Sequence, residues 1–100
     1  MIARIWRGAV RQEDGDVYEQ YIRETGVAEY KTTAGNLGVT MMRRQVGDRT
    51  EFMLLSLWES LDAVKAFAGE DYEKGVYYPE DDRYLVERDE KSSHWEVTAS

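Results

Sequence analysis

Apolar and polar positions change period several times along the hundred residues, and each change marks an element. Ile2, Ile5, Trp6 and Val10, with Arg4 and Arg7 between them, form a short β-branched and aromatic run that predicts a first strand over 2–10. Arg11-Gln12-Glu13-Asp14-Gly15 is a polar turn. Asp16 and Glu19 have the spacing of a capping box, and Val17, Tyr18, Tyr21, Ile22 and Thr25 recur at threes and fours on one helical face. Gly26 ends or kinks that helix, Val27 to Lys31 adds a turn, and Thr32-Thr33-Ala34-Gly35-Asn36 opens a loop. Strands over 37–46 and 50–58 join through Gly47-Asp48-Arg49. Ser60 caps a helix with Leu61, Val64, Phe67 and Ala68 as its buried stripe and Gly69 just past its end. Asp71 then starts a short helix through Val76 and Tyr77, stopped by Pro79. Glu80-Asp81-Asp82 is a charged loop, and strands over 83–88 and 94–97 finish the chain.

The order β-α-β-β-α-β plus a terminal strand predicts an α+β, ferredoxin-like sandwich, one antiparallel sheet carrying helices on one face. Residues 1–100 read as one domain. Phe52-Met53-Leu54-Leu55-Ser56-Leu57-Trp58 is apolar on both alternating faces, whereas a strand with one wet face alternates. Helices can cover one side. The other needs a second copy, so the pattern predicts a homodimer with sheets face to face.

The passages Ile2-Ala3-Arg4-Ile5-Trp6-Arg7, Phe52 through Leu61 (strand, Trp58-Glu59-Ser60, helix) and Ala66-Phe67-Ala68-Gly69-Glu70-Asp71 resemble the antibiotic biosynthesis monooxygenase domain. Val76 through Leu85 and His94-Trp95-Glu96-Val97 resemble a small subfamily of it whose members mostly lack an assigned reaction. The resemblance implies a dimeric α/β barrel and oxidation of quinols or polycyclic phenols by O₂ without metal or flavin. By the same resemblance Trp58 borders the pocket of phenol-oxidising members, while their asparagine falls on Leu54, which cannot hydrogen-bond. The asparagine, tryptophan and histidine of the haem-degrading branch fall on Arg7, Phe67 and Tyr77, so none is retained.

Composition narrows the partners. Thirteen Lys+Arg against 20 Asp+Glu leave a formal net charge of −7, which disfavours nucleic acid and anionic membrane. No apolar run is long enough to span a bilayer, and the first residues are charged too early for a signal peptide, so the expected address is cytoplasmic. With no cysteine there is no thiol nucleophile, disulfide or Cys-bound metal. No cofactor motif is present either, since Gly35-Asn36-Leu37-Gly38 is too short for a dinucleotide fingerprint.

The candidate catalytic residues are His94, the one imidazole, with Arg7 and Tyr77 to steer protons or hold an oxyanion. Trp58, Phe67, Tyr72 and Tyr78 are the candidate walls for a small aromatic or hydrophobic molecule. Trp58 reads equally as a core anchor, His94 as a strand-end residue, and the tyrosines as a dimer interface. Glu80, Asp81 and Asp82 read as a solvated acidic loop rather than a metal site, having no histidine beside them. Arg4 and Arg7 interrupt a central strand at opposite parity, so one faces the helices and one faces away. A buried arginine requires a carboxylate, and Glu51, Glu87 and Glu96 are the expected partners. Two ligand-using functions fit, a cofactor-independent monooxygenase acting on an aromatic or quinol-type metabolite, and a non-catalytic binding or stress-response module. Both expect an apolar cavity on the order of a few hundred Å³ between helices and sheet. A filled interior is the expectation for a purely structural dimer.

Overall fold

The computed structural model describes residues 1–100. Its strands are β1 (Ile2–Arg11), β2 (Asn36–Val46), β3 (Arg49–Trp58), β4 (Leu85–Arg88) and β5 (Ser93–Glu96). Its helices are α1 (Gly15–Ile22), α2 (Ala28–Thr32), α3 (Leu61–Ala68) and α4 (Asp81–Tyr84). The sheet is antiparallel in the order β2-β3-β1-β4, with β5 also paired to β1. The expected ferredoxin-like arrangement is therefore present, with the two most apolar strands at its centre.

Register explains which side chains share a face. Trp6 opposes Leu54, Gly8 opposes Phe52 and Val10 opposes Thr50, so the even positions of β1 and β3 point together beneath the helices. Trp6, Val10, Phe52, Leu54 and Trp58 from the sheet meet Tyr18 and Ile22 of α1, Tyr30 of α2, and Val64 and Phe67 of α3 in one core. Gly8 is glycine because the Trp6 ring lies across it: a Cβ there would sit 2.6 Å from that ring. The β2–β3 hairpin turns through Gly47 and Asp48 with φ +60° at the glycine alone, the type II′ geometry that suits the twist of paired strands.

Two local expectations are corrected. Of the end or kink expected at Gly26, the end does not occur, because Arg23–Val27 form a π-helical stretch that makes residues 15–32 helical throughout. The Thr25 hydroxyl donates to the Tyr21 carbonyl at 2.7 Å, an interaction that competes with the regular ladder where the turn widens. The Asp16–Glu19 capping box does not form either. The helix is entered from a 3₁₀ turn over Gln12–Asp14, which leaves Asp16 inside the first turn, where it pairs with Arg43 at 3.0 Å.

The region after α3 differs more. No helix starts at Asp71. Residues 69–80 lack regular secondary structure, and their backbone is engaged across the chain, with Gly75 N–H donating to Glu90 and Ser92 N–H to Glu73. The short helix comes at Asp81, and β4 accordingly starts at Leu85 rather than at Arg83. Asp81 is buried, not part of a solvated loop. It accepts from the Tyr18 hydroxyl at 2.9 Å and from the Tyr78 amide at 2.6 Å, tying α4 to α1.

Odd positions of β1 and β3 face away from the helices. Ile5, Met53, Leu55 and Leu57 are half-buried there, beside an exposed Trp95 and Met42, and no layer of this chain covers them.

Ser60 caps α3 as expected, accepting from the Ala63 amide at 3.2 Å, and Gly69 ends it at φ +88°. Ser60→Ala is expected to lower unfolding stability by about 1 kcal/mol in a denaturant titration.

Candidate functional site

β1 places Arg4 under the helices because it shares parity with Trp6 and Val10. The residue is 1% exposed. Its Nη1 donates to the Tyr72 carbonyl at 2.5 Å and to His94 Nε2 at 2.9 Å, and its Nη2 donates to the Lys74 carbonyl at 3.2 Å. The guanidinium also stands 5.8 Å from the centroid of the Phe67 ring, and its Nε has no partner. The expected carboxylate is absent. Glu51 pairs with Arg44, Glu87 with Arg49, and no Asp or Glu forms an ion pair with Arg4. Burial lowers its pKa from the ordinary arginine value, with Tyr30 opposing, yet a guanidinium keeps its proton in any protein.

His94 reaches the same side because β5 pairs with β1, setting His94 opposite Arg4. Arginine can only donate, so Nε2 of His94 accepts and the ring proton sits on Nδ1. The imidazole packs edge-on against Tyr72 with ring centroids 5.0 Å apart. Its pKa is lowered from 6.5, first by burial and then by Arg4, with Glu73 opposing.

The remaining candidates divide. Tyr77 accepts from Trp6 Nε1 at 3.0 Å and donates to the Asp89 carbonyl at 2.5 Å, close to the Arg88 guanidinium. Tyr78 bonds Glu29 of α2. Phe67 packs on Trp58 and Tyr30 (centroids 5.5 and 4.4 Å away) and forms a wall under Arg4. Trp58 is completely buried and donates to Ser56 Oγ at 2.9 Å. Arg7 does not join them. Odd parity puts it on the opposite face of the sheet, exposed and paired with Asp89 at 3.1 Å. Of the two strand arginines, one of which is expected to face the helices, it is Arg4 and not the candidate Arg7 that joins the site. Its parity with Trp6 was the available signal.

A void of about 30 Å³ lies between Arg4, Trp6, Tyr30, Tyr78, Thr25 and Gly26, the last two belonging to the π stretch. That is room for about one water. The expectation of a ready-made cavity is overturned, because Tyr72, Val76, Tyr77 and Tyr78 fill the space over the sheet. A larger hollow of about 380 Å³ lies across the sheet near Arg7, Arg44, Glu51, Met53, Glu87 and Asp89, and is mostly charged. No three His, Asp or Glu residues are grouped to hold a metal ion.

The sequence profile of a family described as antibiotic biosynthesis monooxygenase matches residues 1–75. No curated protein sequence matches the chain. Among solved structures, an antibiotic biosynthesis monooxygenase from Nitrosomonas europaea, assigned as such without proof, superposes with TM-score 0.71 at 13% identity, over 99% of this chain and 100% of the other. A similarly assigned protein from Bacillus cereus gives 0.67 at 17% identity over 99% and 94%. The heme-degrader MhuD from Mycobacterium tuberculosis, with two hemes bound in its active site, gives 0.67 at 17% identity over 100% and 98%.

The lowered pKa of His94 has a defined sign. Above its ordinary value both folded and unfolded rings are neutral. As pH falls below that value the unfolded ring binds a proton that the folded one resists, so stability falls. Between about pH 7.5 and 5.5, wild-type stability should drop more than that of His94→Gln, which keeps an acceptor for Arg4 but does not titrate. Parallel curves from denaturant melts would contradict this.

Proposed function

The chain belongs to the antibiotic biosynthesis monooxygenase family, and on that footing we propose that it is a cofactor-independent monooxygenase acting on a small aromatic or quinol-type metabolite between the helices and the sheet. The observation that supports this reading is an imidazole set edge-on to a tyrosine ring beside a buried arginine. His94 stands on the helix side, against Tyr72, with the Nε2 lone pair turned toward Arg4. Nε2 accepts a phenolic proton once the substrate draws Arg4 Nη1 away from it and frees the lone pair.

A quinol carries both electrons that the reaction needs. Loss of its proton to His94 gives a quinolate that reduces O₂. One oxygen atom replaces a ring hydrogen, the other leaves as water, and the product is a hydroxyquinone. No further reductant enters. Tyr77, bridging Trp6 and the Asp89 carbonyl, positions the wall on which the ring would lie. Tyr72, Tyr78 and Phe67 supply the other aromatic surfaces, and Trp58 supports Phe67 from beneath. Because the interior has room for only about one water, entry of a ring requires residues 69–80 to lift. A segment without helix or strand does so at less cost than the sheet below it.

Room for about one water is what a purely structural dimer expects, so both ligand-using readings require the interior to open, and the second of them is a non-catalytic module that holds a small ligand in the same place. Oxygen uptake separates the two. An oxygen electrode with a panel of quinols and anthrone-like phenols should record one O₂ consumed per substrate lost. His94→Gln, a variant that preserves the Arg4 contact, should slow this by roughly a hundredfold, the scale of general-base loss. Binding without oxygen uptake would establish the module instead.

The same proposal includes a homodimer. Its support is the uncovered apolar face of Ile5, Met53, Leu55 and Leu57, with Trp95 61% exposed at its margin. Leu55→Lys at the centre of that face should convert a sedimenting dimer to monomer. A wild-type chain that sediments as a monomer at micromolar concentration would remove the dimer.

A further inference from the structure

The balance around Arg4 is incomplete. A buried guanidinium usually faces a carboxylate, because an uncompensated charge in the interior costs several kcal/mol. Here the chain supplies two main-chain carbonyls, a neutral imidazole and a ring face, and leaves Nε unpartnered. Glu73, the acidic residue whose charge reaches His94, is paired with Lys91 at 3.8 Å. Both carbonyls belong to residues 69–80, the segment whose Val76 and Tyr78 line the void. The group that lacks a counter-charge is therefore also the group that holds the cover down.

We infer that Arg4 is the receptor for an ionised oxygen on an aromatic ring, a phenolate, which displaces the Tyr72 and Lys74 carbonyls from the guanidinium and so releases residues 69–80 as it binds. The inference rests on the proposed oxidation of a quinol-type substrate and assigns to Arg4 the ring oxyanion left when that substrate has lost its proton. A full negative charge competes with neutral carbonyls because charge-assisted hydrogen bonds are roughly twice as strong as neutral ones. The surroundings suit a flat ring. Phe67 and Tyr30 lie beside Arg4, Trp6 is two residues along the same face, and the π stretch opposite presents Gly26 with no side chain. Nothing else near the void carries an unpaired positive charge, so selection for the anion passes through this one residue.

The probe is 4-nitrophenol, a phenol acid enough to be ionised under mildly basic conditions. Its neutral controls are nitrobenzene, which is smaller, and 4-nitroanisole, which is larger. Calorimetry should show the phenolate binding at least tenfold more tightly than either control, about 1.4 kcal/mol. Arg4→Met, which replaces the buried cation with an apolar side chain of similar length, should abolish that preference while still binding nitrobenzene. Amide exchange gives an independent reading. Ordinary binding protects amides, whereas displacement of the cover should accelerate exchange at Gly75 and Ser92, whose N–H groups bond Glu90 and Glu73 across the segment.

Equal binding of phenolate and neutral rings by the wild type would overturn the inference and leave the proposed pocket standing. A preference that survives in Arg4→Met would also overturn it. Slower exchange at Gly75 and Ser92 on binding would refute the displacement of the carbonyls. Binding of none of the three compounds would overturn both the inference and the pocket. The wild-type comparison and the exchange measurement stand without the variant, should it fail to fold.

Discussion

The arrangement beneath the helices depends on one charge buried without a counter-charge. Arg4 occupies an even position in the central strand of the sheet, between neighbours whose burial forces that face inward. It cannot turn outward without taking Trp6 and Val10 with it, since a strand that rotates by one residue exchanges its faces entirely. The guanidinium therefore has to be satisfied where it is. The chain does so by drawing the carbonyls of residues 69–80 over the sheet and bringing His94 in on β5.

The aromatic residues of the later part of the chain take their positions from that constraint. Once the segment is held against Arg4, Tyr72 lies on the His94 ring and Tyr77 comes within reach of Trp6. Asp81, a few residues on, is pulled into the interior, where Tyr18 and the Tyr78 amide satisfy it. Burial raises the pKa of the Tyr18 phenol from its ordinary value, with Asp81 adding to the effect, so that this hydroxyl remains a donor at any physiological pH. The interior is thus polar at several points, but its polar groups are aimed at one another or toward a space the size of one water.

The two faces of the sheet are different in kind. The helix side is a core in which ten residues pack with Trp58 and Val64 wholly buried. The far side is an apolar strip ending in a charged hollow, where Arg7–Asp89 and Arg44–Glu51 are exposed pairs. Exposed pairs of this sort contribute little to stability, about 0–1 kcal/mol each. The parity that sends Arg4 inward sends Arg7 out to this hollow. Two arginines three residues apart in one strand consequently serve unrelated surroundings.

Periodicity was enough to establish what each stretch of chain could be locally. Alternating and threefold-fourfold spacings placed β1, β2, β3, α1 and α3 within a few residues, and Ser60 and Gly69 marked the ends of α3 because capping is decided by immediate neighbours. The doubly apolar third strand indicated a central place in the sheet, and the family resemblance carried by those same strands was sound. Residues 69–80 were not legible in this way. Asp71 looks like a helix start, but its segment answers to Arg4, about seventy residues away, and to Glu90 and Ser92 across the fold. The same applies to Asp81, whose acidic neighbours suggest solvent while its partner is on α1. Sequence by itself determined periodicity, caps, turns and the two-faced sheet, all of which depend on residues within a turn or a strand of each other. Tertiary structure alone decided what satisfies Arg4, which tyrosines surround it and how little space is left. Those outcomes depend on the choice among competing hydrogen-bond partners that only come together once the chain has closed on itself.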